Sequence, residues 1–194
     1  MAADVLDKPV VIVSGLPRSG TSMMMQMLEA GGVPVLTDRA RAADEDNPRG
    51  YYEFEPVKQT KKDSSWLEQA PGKVVKMVHL LLLDLPLDRT YHVVFMRRKL
   101  EEVVRSQNVM LERKGKTNAD LRDEQVMGLF RQQLKQVEDY LTGHPEFKVL
   151  YVNYNEMLAR PQPLVQAVDE FLGGGLNTSA MLGVVEPSLY RQRG

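Results

Sequence analysis

The hydrophobic positions of this sequence form short runs that alternate with amphipathic stretches. Residues 10–13 are Val, Val, Ile and Val, and Gly15 follows shortly after, which predicts a strand buried on both faces. From Gly20 the apolar positions take a helical spacing until Gly31 and Gly32 end it. Similar runs predict further strands at residues 33–36, 73–78, 91–96 and 147–152.

Amphipathic stretches between these runs predict helices at residues 57–70, from residue 100 onwards, at residues 118–141 and at residues 163–172. The helix after residue 100 carries its apolar face on Leu100, Val103, Val104, Gln107 and Leu111. Strands that alternate with helices favour a single three-layer α/β/α domain with a mostly parallel sheet, here over residues 1–194. Ligands of such folds bind at the carboxyl ends of the strands.

Composition narrows the function classes. The chain has 194 residues with a net charge of −1, so no global basic field indicates a nucleic acid or an anionic membrane as partner. It has no cysteine, which excludes disulfides, zinc thiolate sites and a cysteine nucleophile. Residues 1–8 carry two aspartates and no apolar run, and the longest apolar stretch, residues 80–83, is far too short to span a bilayer. We therefore expect no signal peptide and a cytoplasmic protein.

The most informative segment is a phosphate loop between the first strand and the first helix. It reads Gly15-Leu16-Pro17-Arg18-Ser19-Gly20-Thr21-Ser22. Its backbone N–H groups, the helix N-terminus and the Arg18 guanidinium favour an anion there. An ATP-binding phosphate loop has lysine directly after its second glycine, whereas here Thr21 takes that place. A structural strand-to-helix turn with an exposed arginine is the alternative.

A second anion site is predicted where the strand at residues 91–96 ends. Arg97 and Arg98 follow that strand, and Ser106 lies about two helical turns further on. A guanidinium at a strand end and a hydroxyl on the next helix suit a phosphate. The alternative is a solvated pair of charges at a helix start.

Taken together, these motifs resemble the sulfotransferase family. Its 5′-phosphosulfate loop reads P-[KR]-[ST]-G-T-[TS], and residues 17–22 match it; its 3′-phosphate motif has serine eight residues after a strand-end arginine, as at Arg98 and Ser106. Residues 152–158 resemble the V-x-Y-E-x-[ML] segment, with Tyr154 at the adenine-contacting tyrosine and Asn155 in place of the acid. Residues 47–53 are similar to the N-P-x-G-[YF]-[WYF]-E element of bacterial members.

The resemblance implies a phosphate-loop-type fold and an activity. The donor would be 3′-phosphoadenosine-5′-phosphosulfate (PAPS), which leaves 3′,5′-adenosine diphosphate (PAP), and the acceptor would be a hydroxyl or amine of a small molecule or carbohydrate. Arg18 would neutralise the leaving phosphate, Thr21 and Ser22 would hold it, and no metal is implied. The resemblance does not fix the oligomeric state: the helix at residues 118–141 could pair with a second copy of the chain, as a homodimer, or cover the sheet. The alternatives are a small kinase-like enzyme and a non-catalytic nucleotide-binding module.

Two residues are candidates for the general base that an acceptor hydroxyl requires. His79 follows the strand at residues 73–78, where cytosolic sulfotransferases have the histidine of a K-x-H-L element, although here one more residue separates it from Lys76. Glu53 is the other candidate, because some branches of the family use a glutamate. The sequence leaves the choice open.

Overall fold

A parallel sheet of four strands forms the centre of the computed structural model, which describes residues 8–38, 50–113, 115 and 122–185. The strands are β1 (Val10–Gly15), β2 (Val74–Val78), β3 (Tyr91–Arg97) and β4 (Phe147–Asn153), in the order β2-β1-β3-β4. Gly15 pairs with Val78 on one side and with Met96 on the other. The carboxyl ends of the three strands therefore lie at one edge of the sheet.

Helices connect the strands and cover the sheet. They are α1 (Thr21–Ala30), α2 (Leu100–Arg113), α3 (Asp123–Gly143), α4 (Tyr154–Ala159), α5 (Pro161–Phe171) and α6 (Thr178–Val184). Three short 3₁₀ helices span Glu55–Gln59, Ser65–Gln69 and His79–Asp84. Helix α3 begins after Arg122, whose backbone is extended, and the predicted helix start at residues 118–120 lies outside the described residues.

Each face of β1 has its own hydrophobic core. Val10 and Ile12 pack in a cluster with α3, and Val11 and Val13 pack in another with α1, α5 and α6. All six residues of β1 are buried, as the unbroken β-branched run predicts. The predicted three-layer α/β/α arrangement with a parallel sheet is confirmed, while the extent of one domain over residues 1–194 stays a prediction.

The single helix predicted at residues 57–70 is wrong. Two 3₁₀ helices occupy this stretch, and a turn between them places the Ser65 N–H 2.9 Å from Asp63 Oδ1. The first helix has already ended at Gln59, whose carbonyl oxygen accepts from the N–H groups of Lys62 and Asp63, and the Asp63 carboxylate bonds to the first residue of the second helix. Trp66 is buried after the turn, and its Nε1 donates to Thr60 Oγ1 at 3.1 Å.

The strand predicted at residues 33–36 is reduced to an isolated bridge between Val35 and Val74. Pro34 has no N–H to donate, so the ladder cannot extend. The predicted last helix starts two residues earlier than expected, at Pro161. Sequence reasoning missed α4, α6 and the 3₁₀ helix His79–Asp84.

Candidate functional site

The phosphate loop leaves β1 in a backbone conformation that requires glycine at its first position. Gly15 has φ 145°, and a Cβ there would lie 2.6 Å from the Met96 carbonyl oxygen. Arg18 also has positive φ, 72°, which an L-residue adopts at a cost of about 1–2 kcal/mol. Strain at a non-glycine loop residue persists only where neighbouring groups hold it.

Gly20 brings the loop against α4. It precedes α1 with φ 99°, and a Cβ at this position would lie 2.4 Å from Cδ2 of the Tyr154 ring. Any side chain here would displace that ring. The glycine therefore serves both the turn and the approach of an aromatic face to the loop, two features that the sequence motif alone does not connect.

The loop presents several polar groups at the carboxyl edge of the sheet. Pro17 is exposed, whereas Thr21 and Ser22 are half-buried in the first turn of α1. Ser19 is buried, and its Oγ makes no hydrogen bond within the described residues. A buried hydroxyl in a glycine-lined loop suits a ligand oxygen.

The two predicted anion sites meet in space. Arg18 Nε donates to Ser106 Oγ at 3.0 Å, although 88 residues separate them in the chain. Ser106 lies on α2 and is buried. The structure thus brings the phosphate loop and the serine of the second motif into one cluster.

Arg98 joins the same cluster. Its Nη1 donates to the Arg18 carbonyl oxygen at 3.0 Å, and its Nε donates to Glu102 Oε2 at 2.9 Å. The guanidinium carbon lies 4.6 Å from the centre of the Tyr154 ring, on its face. Planar stacking and a forked donor are properties of arginine that lysine lacks. Arg98 therefore touches the loop, α2 and α4 at once.

Glu102 is a site residue that sequence reasoning missed. It lies on α2, is 3% exposed, and accepts from Asn155 Nδ2 at 2.9 Å and 3.1 Å on its two carboxylate oxygens. Asn153 caps α4 by accepting from the backbone N–H of Asn155 and Glu156. The four-residue spacing from Arg98 to Glu102 was a usable signal, because a residue just before a helix can reach a carboxylate in its first turn.

His79 lies beside the loop at the end of β2. It follows Val78, which pairs with Gly15, and it is 2% exposed. Its Nε2 lies 3.1 Å from Gln133 Oε1, and its buried Nδ1 makes no hydrogen bond within the described residues. Burial lowers the pKa of His79, while the Gln133 hydrogen bond and the nearby Gly15 backbone oppose that shift. The imidazole is therefore neutral at pH 7.

Glu53 lies in a different environment. Its backbone oxygen accepts from Thr37 Oγ1 at 2.8 Å, and its carboxylate lies 3.8 Å from Lys58 Nζ. The preceding residue, Tyr52, donates to Glu29 Oε2 near the C-terminal end of α1, at 2.5 Å. That end of α1 is about 12 Å from the end next to the loop. Residues 47–49 of the predicted motif lie outside the described residues.

The aromatic side chains around Glu53 belong to the core. Tyr51, Phe54 and Trp66 are buried, and the Phe54 and Trp66 rings meet edge to face with centroids 6.3 Å apart. The Lys76 amine donates to the Tyr51 carbonyl oxygen. Across the described ranges, no group of three His, Asp or Glu side chains could hold a metal, and no helix is long and apolar enough to cross a membrane.

Comparison with known proteins gives a consistent picture. A family model described as "Sulfotransferase domain" matches residues 8–192 of the chain. Among solved structures, the sulfotransferase domain of the curacin biosynthetic pathway is 14% identical with TM-score 0.57, covering 92% of this chain and 78% of that one. Sulfotransferase STF1 from Mycobacterium tuberculosis is 17% identical with TM-score 0.59, covering 92% and 72%.

A mouse sulfotransferase, SULT7A1, whose crystal structure is a complex with PAP, is 16% identical with TM-score 0.54, covering 95% of this chain and 68% of that one. No curated protein sequence matches this chain significantly. At these identities the structural likeness shows the fold, a phosphate-loop-type α/β arrangement like the one predicted.

Proposed function

This chain belongs to the sulfotransferase family, and from that premise we propose that it transfers the sulfuryl group of PAPS to a hydroxyl or amine of a small molecule or carbohydrate. One observation carries the proposal: the 3.0 Å contact between Arg18 Nε and Ser106 Oγ. It unites the loop expected to hold the 5′-phosphosulfate with the serine expected at the 3′-phosphate. The mouse relative complexed with PAP supports this choice of donor.

The residues present fit a bisphosphorylated nucleotide. The loop has a buried Ser19 hydroxyl without a hydrogen bond among the described residues, and two glycines that let the Met96 carbonyl and the Tyr154 ring pack closely against it. Beside the loop, Arg98 supplies a cation and Tyr154 supplies an aromatic face, with the guanidinium carbon 4.6 Å from the ring centre. When bound, PAPS supplies an activated sulfuryl group on its 5′-phosphate. The residues that would hold it are Pro17, Arg18, Ser19, Gly20, Thr21, Ser22, Arg98, Ser106 and Tyr154.

The loop residues have an electrostatic task in this reaction. Arg18 and the loop amides stabilise the negative charge that accumulates on the 5′-phosphate oxygen as the bond to sulfur breaks. Thr21 and Ser22 donate to the same phosphate. Because charge stabilisation and alignment are the main demands of such an in-line transfer, the chain's own donors suffice without a metal in our proposal.

We assign the general base to His79. It lies at the carboxyl end of β2, beside Gly15 of the loop, whereas the residue before Glu53, Tyr52, contacts the far end of α1. The acceptor proton passes to the imidazole of His79, the acceptor oxygen or nitrogen gains the sulfuryl group, and PAP leaves.

Ligand-induced stabilisation tests the donor. PAP at 100 times its Kd should stabilise the native protein by about 2.7 kcal/mol, because it binds only the folded state. For a domain of this size that corresponds to a rise in Tm of roughly 5–10 °C. Stabilisation by ATP with magnesium, but not by PAP, would contradict the proposal and favour a kinase-like enzyme.

Turnover tests the reaction. Incubation of the protein with radiolabelled PAPS and a set of alcohols, amines and saccharides should transfer the label to an acceptor and release PAP in equal amounts. A protein that binds PAP tightly but transfers no label to any acceptor class would be a non-catalytic nucleotide-binding module instead.

A further inference from the structure

A buried carboxylate organises the cluster behind the phosphate loop. Glu102 is 3% exposed, and both of its oxygens are engaged: Oε2 by Arg98 Nε at 2.9 Å, and both by Asn155 Nδ2 at 2.9 Å and 3.1 Å. The Arg98 side chain is only 8% exposed. A buried ion pair is tolerated when further hydrogen bonds satisfy its remaining polar atoms, and Asn155 provides such a bond.

These contacts restrict Arg98 on three sides. Glu102 holds its Nε, the Arg18 carbonyl oxygen accepts from its Nη1 at 3.0 Å, and the Tyr154 ring lies against its plane. A planar guanidinium with three such contacts has little freedom to rotate. Preorganised donors bind an anion without the cost of ordering a flexible side chain at the moment of binding.

We propose that Glu102 and Asn155 are a positioning pair, which holds Arg98 over Tyr154 and against the loop so that the 3′-phosphate of the donor meets a guanidinium already in place. This inference rests on the proposed function. Neither member of the pair touches the donor: both act through Arg98.

The pair carries one negative charge, which lies on Glu102. The family segment that residues 152–158 resemble has an acid at the position of Asn155, and a carboxylate there would lie within hydrogen-bond distance of the Glu102 carboxylate. Two adjacent buried carboxylates repel each other and cannot both stay ionised. The site therefore has room for one negative charge, on α2 or on α4, and this chain places it on α2.

Exchange of the two residues tests the proposal. Titration calorimetry would measure Kd for PAP and for AMP, which lacks the 3′-phosphate, with the wild type and three variants: Glu102→Gln, Asn155→Glu and the double variant. Each single variant should raise Kd for PAP about tenfold and change Kd for AMP by less than about twofold. In Glu102→Gln, Arg98 loses its charged partner, and in Asn155→Glu it faces a second carboxylate. The double variant restores one carboxylate and should recover PAP affinity to within about threefold of the wild type.

Controls separate positioning from folding. Glu101→Gln makes the same chemical change on the exposed neighbouring residue of α2 and should bind PAP like the wild type. If Glu102→Gln does not fold, Glu102→Asp keeps the charge but withdraws it by one methylene group, and should raise Kd for PAP about threefold. Circular dichroism checks that each variant is folded.

Two results would overturn the positioning role: an unchanged ratio of Kd for AMP to Kd for PAP in the single variants, or no recovery in the double variant. Failure of the proposed function looks different. In that case the wild type itself binds PAP no more tightly than AMP, whatever residues 102 and 155 are.

Discussion

Two regions at the same sheet are built in different ways. The donor cluster (residues 15–22 with Arg98, Glu102, Ser106, Tyr154 and Asn155) is joined by hydrogen bonds between residues 88, 80 and 53 positions apart. The outer segment (residues 50–70) combines turn contacts that span 2–6 positions with side-chain hydrogen bonds to α1, β2 and the adjoining loops that span 16–25 positions. The donor cluster thus joins elements that lie far apart in the chain, and the outer segment is held by its own turns and by residues closer to it in the chain.

The proposed role of the donor cluster, to bind an anionic ligand, accounts for the difference between the two regions. A preformed anion site needs donors fixed from several elements, because their positions must persist before the ligand arrives. The outer segment consists of two 3₁₀ helices around a buried tryptophan, and such helices have weaker hydrogen-bond geometry and are short. We therefore expect equivalent substitutions to have large effects in the donor cluster and small ones in the outer segment.

The largest expected effect is that of Arg18→Ala. It removes the guanidinium that we assign to the leaving phosphate and the hydrogen bond to Ser106. Turnover of PAPS should fall about 1000-fold, the effect of removing one preorganised donor from a developing negative charge. Steady-state kinetics with a saturating acceptor measures it, and Arg18→Lys should recover only part of the loss because lysine lacks the forked donor.

The matched control for this prediction is Lys61→Ala, which removes an exposed cation from the outer segment. Its turnover should stay within about twofold of the wild type, since exposed charges contribute little. An Arg18→Ala enzyme as active as the Lys61→Ala enzyme would break the contrast between the regions.

His79→Gln should have the next largest effect, a fall in kcat of about 100-fold with an unchanged Kd for PAP, because loss of a general base slows the transfer and not donor binding. Burial places the pKa of His79 below its ordinary value of 6.5. The wild-type kcat/KM should therefore level off towards neutral pH and fall as the pH drops through that lowered pKa, where the base becomes protonated. The variant should lose this acid limb.

Glu53→Gln is the corresponding change in the outer segment, and its kcat should stay within about twofold of the wild type with the acid limb intact. The opposite pattern, a large loss for Glu53→Gln and a small one for His79→Gln, would move the base to Glu53 and give the outer segment a direct part in the chemistry.

The smallest expected effect concerns stability. Gly20→Ala should lower the free energy of unfolding by about 2 kcal/mol and Tm by roughly 4–8 °C, because an alanine with φ 99° is strained and its Cβ meets the Tyr154 ring. Thermal denaturation measures the change. Gly50→Ala is the matched control: its φ is also positive, at 89°, but no atom lies within 4 Å of the added Cβ.

The Gly50→Ala variant carries the backbone strain alone, so the difference in Tm between the two variants measures the cost of displacing the Tyr154 ring. Equal changes in Tm would mean that the contact between the loop and α4 contributes nothing to stability.

The sequence predicts most of the fold because its strongest signals are local and consistent. The β-branched run of β1, the glycines that flank the loop and the amphipathic face of α2 each specify an element without help from distant residues. The loop motif and the spacing between Arg98 and Ser106 also place the two predicted anion sites in order along the chain. That the four strands are all parallel follows from the helices between them.

The contacts within the site could not be predicted in the same way. The hydrogen bonds of Glu102 to Arg98 and Asn155 depend on how α2 and α4 meet behind the loop, which no single stretch of sequence encodes. The prediction for the outer segment was wrong because its apolar spacing suggested one helix, whereas the chain turns after Gln59 and the side chain of Asp63 accepts from the Ser65 N–H where a second helix begins. Polar side chains that bond to the backbone are poorly represented in a hydrophobic pattern.

The buried indole of the outer segment gives the protein a built-in optical reporter. Trp66 is the chain's one tryptophan, and its ring is enclosed between Phe54 and the Thr60 hydroxyl. All indole fluorescence therefore originates in this segment, so its emission wavelength follows the hydration of the outer segment. Because no other indole contributes, a spectrum recorded during a titration reads out one side of the sheet without labelling the protein.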